Sequence, residues 1–266
     1  MRNNLTLGQQ VLLIFHILTQ NFHHMKICLI GYGKMGKAIE NQAIERGHVI
    51  KAKVDSKAQG HIQELVKDCD VAIEFTKPEA AIQNILRCFQ LGIPVVCGTT
   101  GWTAHWKEIE DYVRQYNGSL IWASNFSVGV NIFFEINSAL AKIMSSQHQY
   151  STEIKEVHHI HKLDSPSGTG ITIAQQIIDA HPSYKSWKLR RESEKSSDEL
   201  IIDAIREGEV IGFHEVKYSS SIDEIKLSHN AFNRNGFALG AVLAAEWLIG
   251  KKGIFSMKDV LGFQKT

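Results

Sequence analysis

Lys26-Ile27-Cys28-Leu29-Ile30-Gly31-Tyr32-Gly33-Lys34-Met35-Gly36 is the stretch that decides the fold. Its first five residues form a short apolar run, and Ala38, Ile39, Ala43 and Ile44 then recur at helical spacing, so it reads as strand, glycine turn, helix. Gly31 permits the tight turn, Gly33 lets the backbone approach a pyrophosphate, and Gly36 lets the helix lie close to the sheet. Tyr32, Lys34 and Met35 fill the turn, whose helix-starting N–H groups suit phosphate. A second strand, His48 to Val54, ends in Asp55, where a carboxylate would meet the adenosine ribose. Lys57 could neutralise a 2′-phosphate, so NADH and NADPH both stay open as cofactors.

The strand and helix rhythm continues outward. Val71 to Phe75 reads as a strand, Pro78 to Leu91 as a helix, Ile93 to Cys97 as a strand, Trp102 to Arg114 as a helix and Leu120 to Ala123 as a strand. Such alternation predicts an α/β, Rossmann-like, doubly wound parallel sheet. Ligands of such sheets sit at the strand C-termini, which here carry Phe75-Thr76, Gly98-Thr99-Thr100 and Ala123-Ser124-Asn125-Phe126 as further cofactor-binding candidates.

After Phe126 the pattern changes. Ile132 to Met144 reads as a helix, Thr152 to His158 as a strand, Ser167 to Ala180 as a helix, and Val210 to Lys217 and Ser221 to Asn230 as two strands. This predicts an α+β domain with an open mixed sheet. Lys185 to Ser197 is charged and serine-rich and reads as a solvated connection. Asn235 to Ile249 is a strongly apolar helix expected to return to the first domain. The expected organisation is therefore residues 25–126 plus 235–266 for the dinucleotide and 127–234 for the substrate, with Phe126 to Val130 as the hinge.

Composition narrows the class. At 266 residues, 44% hydrophobic and 21% charged, the chain has the balance of a soluble globular protein. A net charge of +1 gives no electrostatic footprint for nucleic acid or an anionic membrane. Cys28, Cys69, Cys88 and Cys97 lie among apolar residues with no CxxC pair, so they read as small buried hydrophobes in a reducing, cytoplasmic setting. The apolar run Val11 to Leu18 is far too short to span a membrane. Residues 1–24 read as a poorly ordered leader or a non-native start before Met25, with a cleaved signal peptide as the alternative.

The densest chemistry lies in Glu156-Val157-His158-His159-Ile160-His161-Lys162-Leu163-Asp164-Ser165-Pro166-Ser167-Gly168-Thr169. Imidazole, with an ordinary pKa of about 6.5, exchanges protons near neutrality, and Lys162 adds positive charge for an anionic substrate. Ser167, Gly168 and Thr169 precede Ile171, Ile173, Ala174, Ile177 and Ile178 at helical spacing, so their N–H groups should open a helix and accept a carboxylate. His158, His159 and His161 could alternatively ligate zinc, but adjacent strand residues point to opposite faces and no second ligand cluster follows, so no metal is expected.

The glycine turn, the Gly98-Thr99-Thr100-Gly101 loop, Ser124 to Asn131 and the HHxHKxDxPSGT signature together resemble the 4-hydroxy-tetrahydrodipicolinate (dihydrodipicolinate) reductase family. Gly208 to Gly212, His229, Arg234, Phe237, Gly240 and Ala241 resemble further family segments, and the likeness runs from about Met25 to Gly262. It implies NAD(P)H-dependent reduction in diaminopimelate and lysine biosynthesis. His158 would then be the proton donor and acceptor, Lys162 a second proton donor, and His159 with Ser167, Gly168 and Thr169 the grip on a small dicarboxylate substrate. It also implies a homotetramer built through the second domain's sheet. The turn GYGKMG is one residue tighter than the family's GxxGRMG, and the segment between Ala180 and Val210 matches little and reads as a peripheral loop.

Rival classes fare less well. A semialdehyde dehydrogenase needs a nucleophilic cysteine in the second half of the chain, where none occurs. A nucleotide-sensing module without turnover would have no use for the proton donors between His158 and Lys162. A zinc hydrolase would show itself by its bound metal.

Overall fold

The computed structural model describes residues 24–55, 62–190 and 198–263. The leader up to residue 23 and Lys57 lie outside the described residues. The chain divides into two compact units: one takes the chain up to Val128 and again from Asn235, and the other is Gly129–Arg234.

The first unit is a six-stranded sheet. Its elements are β1 (Lys26–Ile30), α1 (Lys34–Glu45), β2 (Val49–Val54), α2 (Ile62–Val66), β3 (Val71–Glu74), α3 (Pro78–Gln90), β4 (Val95–Cys97), a short 3-10 turn, α4 (Trp106–Tyr116) and β5 (Ser119–Trp122). With β11 (Gly253–Phe255) added from the end of the chain, the sheet order is β11-β5-β4-β3-β1-β2 and every pairing is parallel. Alternation within β1 explains the winding: Ile27 and Leu29 face one layer, Cys28 and Ile30 the other. The first layer is closed by α1 and by α7 (Asn235–Leu248), the second by α2, α3 and α4. Buried Glu246 of α7 fastens that helix to α1 by accepting from Arg46 at 2.7 and 2.9 Å and lying 2.7 Å from His48 Nε2. The four cysteines are buried and unpaired.

The second unit is α5 (Val128–Met144), β6 (Ser151–His158), α6 (Gly168–Ala180), β7 (Ser186–Leu189), β8 (Glu199–Arg206), β9 (Gly212–Ser219) and β10 (Glu224–Ala231), with α5 starting one residue before it. Its strands run β10-β9-β6-β8-β7 as a mixed sheet: β6, β7 and β8 are parallel, while β9 is antiparallel to both neighbours. One face carries Thr152, Ile154, Glu156 and His158 of β6 beside Tyr218, Val216 and His214 of β9, all buried. Helices α5 and α6 are joined by Asn137, whose amide donates to the Ile173 carbonyl and to Gln176. After α7 the chain adds β11 (Gly253–Phe255) to the first sheet and ends, among the described residues, near α8 (Met257–Val260).

Two expectations are corrected here. The connection expected over Lys185 to Ser197 contains β7, and the supposed peripheral loop between Ala180 and Val210 contains β8, which lies inside the sheet between β6 and β7. Leu200, Ile202 and Ala204 alternate inward on β8 and are buried, a period-two signal hidden by the charged residues around it. Residues 191–197 lie outside the described residues. No helix among the described residues is long and apolar enough to cross a membrane.

Candidate active site

In the first unit, a cavity of about 400 Å³ opens where β1, β2 and β3 end, lined by Gly31, Tyr32, Gly33, Asp55, Thr76, Lys77 and Asn84 among others. Gly31 has φ +96°, and a Cβ there would sit 2.0 Å from the Phe75 carbonyl oxygen, so both conformation and space demand glycine. A Cβ on Gly33 would meet nothing within 4 Å, which leaves backbone open toward the cavity. Gly36 packs inward, where a Cβ would fall 2.4 Å from the Gly31 carbonyl oxygen. Lys34 and Met35 begin α1. This glycine cradle with a carboxylate at the end of β2 fits a dinucleotide.

The other cofactor candidates fall into two groups. Thr76 lines the cavity, and its backbone N–H donates to Thr99 Oγ1 at 2.8 Å. The Thr99 carbonyl accepts from Trp102 and Trp122, so this loop is tied down beside Gly98, which lies against the Phe75 ring. Phe75 and Phe126 rings are 5.7 Å apart, and Phe126 and Ala123 are buried. Ser124 is half-buried, Thr100 is exposed, and Asn125 accepts from the Ser127 N–H at 2.9 Å. Lys53, which the sequence reading passed over, stands on β2 with its ammonium 2.6 Å from Glu40 and 4.7 Å from the centre of the Tyr32 ring.

In the second unit, the residues of the histidine-rich run separate. His158 ends β6 on the covered face and is 6% exposed, while His159 lies beyond the strand and pairs its ring with that of His161 at 6.1 Å. The three histidines therefore form no single ligand set. Lys162 is steered by Asp164, whose carboxylate accepts from its ammonium at 2.8 Å. Ser167 caps α6: its Oγ accepts from the Gly170 N–H at 3.0 Å.

Three residues to which the sequence reading gave no role complete the cluster. Glu156, fully buried, accepts from the Ser167 N–H at 3.0 Å, from Ser167 Oγ at 2.5 Å and from Arg206 at 3.2 Å. Its carboxylate also stands 3.7 Å from His158 Nδ1 and 3.7 Å from His214 Nε2. His158 and His214 meet edge to face with centres 5.0 Å apart. Glu156 and His158 are two apart on a strand and so share a face, and His214 is Glu156's register partner on β9. Alternation could have placed Glu156 beside His158; nothing local pointed to His214 or Arg206.

Electrostatics keep these imidazoles neutral. Burial, then the Lys162 ammonium and the Arg206 guanidinium, push His158 down to about 4. Burial, then His158, push His214 down to about 3. His159 is lowered by burial and next by Arg234. Nδ1 of His158 and of His159 are buried without hydrogen-bond partners, so the cluster is poised for further polar contacts. Glu156, His158 and His214 bring ligand atoms within 4.8 Å of one another, but the Arg206 guanidinium already neutralises the carboxylate and would repel a cation.

Comparison with known proteins follows the same division. Residues 25–126 match the family model "Dihydrodipicolinate reductase, N-terminus" and residues 129–261 match "Dihydrodipicolinate reductase, C-terminus". The chain is 49% identical over 238 residues to a 4-hydroxy-tetrahydrodipicolinate reductase of Christiangramia forsetii, covering 89% of this chain and 98% of that one. It is 37% identical over 202 residues to the enzyme of the same name from Methanoregula boonei, with coverages of 75% and 78%. Among solved structures, a dipicolinate-bound dihydrodipicolinate reductase from Paenisporosarcina shares the fold with a TM-score of 0.70 at 20% identity, over 91% of this chain and 100% of that one. An amine dehydrogenase from Mycobacterium smegmatis shares it at 0.60 and 11% identity, over 90% and 96%. With both halves matched in order and close relatives along nearly the whole length, this chain belongs to the dihydrodipicolinate reductase family.

Proposed function

We propose that the chain reduces 4-hydroxy-tetrahydrodipicolinate, by way of dihydrodipicolinate, to tetrahydrodipicolinate with NADH or NADPH, in diaminopimelate and lysine biosynthesis. The observation that carries this reading is a buried, neutral imidazole, His158, set between an ammonium and a capped helix start. A bound nicotinamide cofactor supplies a hydride. The chain's own residues must hold two carboxylates still and deliver a proton. His159 and the Ser167-Gly168-Thr169 turn hold one carboxylate, and Lys162 places positive charge near the reacting ring. A dianionic substrate raises the proton affinity of His158, so the imidazole charges when substrate is present. His158 then gives up that proton as the ring accepts the hydride, and solvent restores it.

Gly31 to Gly36, Asp55, Phe75, Thr76, Gly98 to Thr100 and Ala123 to Phe126 form the proposed cofactor surface, with Asp55 addressing ribose hydroxyls. Residues 25–126 and 235–266 are the proposed dinucleotide domain, and residues 127–234 the substrate domain. The enzyme acts in the cytoplasm as a homotetramer assembled through the second unit's sheet; the exposed edge strand β10, with Ile222 88% and Phe232 86% exposed at its ends, supports that face.

A coupled assay with synthase-generated substrate and each cofactor in turn tests the reading. His158→Ala should lower kcat by roughly 10² to 10⁴ with cofactor binding intact. Unchanged kcat in that variant removes His158 from catalysis, and absence of substrate-dependent cofactor oxidation by the wild type removes the function.

A further inference from the structure

An ionised carboxylate with no exposure is costly unless it does something a neutral side chain cannot. Glu156 is a carboxylate with no exposure whose oxygen accepts from the Arg206 guanidinium at 3.2 Å. For fastening the start of α6 alone it is more than is needed, because Ser167 Oγ already caps the Gly170 N–H. What the charge adds lies on the other sides of the carboxylate, where the imidazoles of His158 and His214 each stand 3.7 Å away. Neither contact is a hydrogen bond at that distance, yet both are close enough for a charge to govern protonation.

We propose that Glu156 is a positioning residue for proton transfer: its carboxylate locks Ser167 and the start of α6 against β6, and its charge lets His158 carry a proton. This rests on the function proposed above. The groups facing Glu156 are His158 on its own strand, Ser167 at the start of α6, Arg206 on β8 and His214 on β9. His158 also faces Lys162, Asp164, Arg206 and His159. Among these, Lys162, Arg206 and His159 oppose its protonation and Asp164 favours it; the Glu156 carboxylate, 3.7 Å from its Nδ1, is the second anion beside it. Arg206 thus plays the counterweight: its guanidinium stands 3.2 Å from the Glu156 carboxylate and opposes protonation of His158.

The arrangement predicts opposite effects from neighbouring substitutions. A general acid is active below its pKa, so kcat falls on the alkaline side as His158 loses its proton. Glu156→Gln removes the anion and keeps the shape, and it should move that alkaline limb down by about one pH unit. Arg206→Gln removes the cation and should move the limb up by a similar amount, whereas KM for the cofactor should change in neither variant. A merely structural carboxylate would lower kcat without moving the limb.

The experiment is the pH dependence of kcat for wild type, Glu156→Gln and Arg206→Gln, with cofactor affinity from fluorescence titration as the check on folding. Opposite shifts support the inference. Unmoved limbs, or shifts in the same direction, overturn it. If Glu156→Gln fails to fold, Glu156→Asp, which draws the carboxylate back from His158, takes its place: a limb moved down supports the inference and an unmoved limb overturns it. Wild-type enzyme without substrate-dependent turnover would instead overturn the proposed function, and the inference with it.

Discussion

Gly170→Ala is a substitution whose outcome local and tertiary arguments predict with opposite sign. Gly170 lies in the first turn of α6, where exchanging glycine for alanine ordinarily stabilises a helix by about 1 kcal/mol. Here the added Cβ would fall 2.4 Å from Glu156 Oε2 and 3.5 Å from Ser167 Oγ. A free carboxylate would swing aside. This one is fully buried and accepts from Ser167 N–H, Ser167 Oγ and Arg206, so moving it by an ångström breaks at least the 2.5 Å Ser167 bond. A hydrogen bond to a carboxylate contributes about 1.5–3 kcal/mol, which exceeds the helix gain and leaves a net loss of about 0.5–2 kcal/mol. With a melting point moving about 2–4 °C per kcal/mol for chains of 150–250 residues, Tm should drop by about 1–8 °C. The same displacement moves the carboxylate that stands 3.7 Å from His158 Nδ1, and kcat should fall by about tenfold or more, consistent with the cost of small misplacements at reacting groups. The measurements are a thermal melt and the coupled assay, with Gly236→Ala as control because its Cβ would meet only Ser167-free surroundings, Ser127 Oγ at 3.5 Å. A Gly170→Ala protein as stable as wild type with unaltered kcat would refute the view that Glu156 is held rigidly.

Two further outcomes follow from burial. His214 is held neutral in the folded protein at about 3, against about 6.5 unfolded, so stability is complete above pH 6.5 and is lost as pH falls toward 3. This residue alone should cost about 1.4 kcal/mol per pH unit in that window, and urea midpoints between pH 7 and 5 should decline less steeply in His214→Gln; parallel declines would contradict the assignment. Gly240→Ala would place a Cβ 1.8 Å from the Phe126 carbonyl oxygen, a backbone atom with nowhere to go, and should destabilise the first unit by about 3 kcal/mol or prevent folding. Wild-type yield and Tm for that variant would show that α7 can shift.

Local periodicity made most of the architecture legible. The apolar run before Gly31 and the spacing of Ile39 and Ala43 after it belong to one strand and one helix, so neighbouring residues sufficed. Ile44, read with the same helix face, is 56% exposed, because a stripe marks a face only approximately. β7, four residues long, lacks a strong local pattern, the period-two signal of the eight-residue β8 is masked by the charged residues around it, and both take their places through pairing across the sheet. β11, three residues long, was invisible for the same reason.

The sequence by itself determined that a glycine turn would sit at a strand end, and that His158, Lys162 and Ser167 would cluster, since residues adjacent in the chain cannot be far apart in space. Only the tertiary structure decided which histidine is buried, and what stands against it. Glu156 meets His214 across β6 and β9 and meets Arg206 across β6 and β8, partners 58 and 50 residues away in the chain. Those encounters depend on strand register, and a slip of one residue would turn each side chain to the opposite face of the sheet.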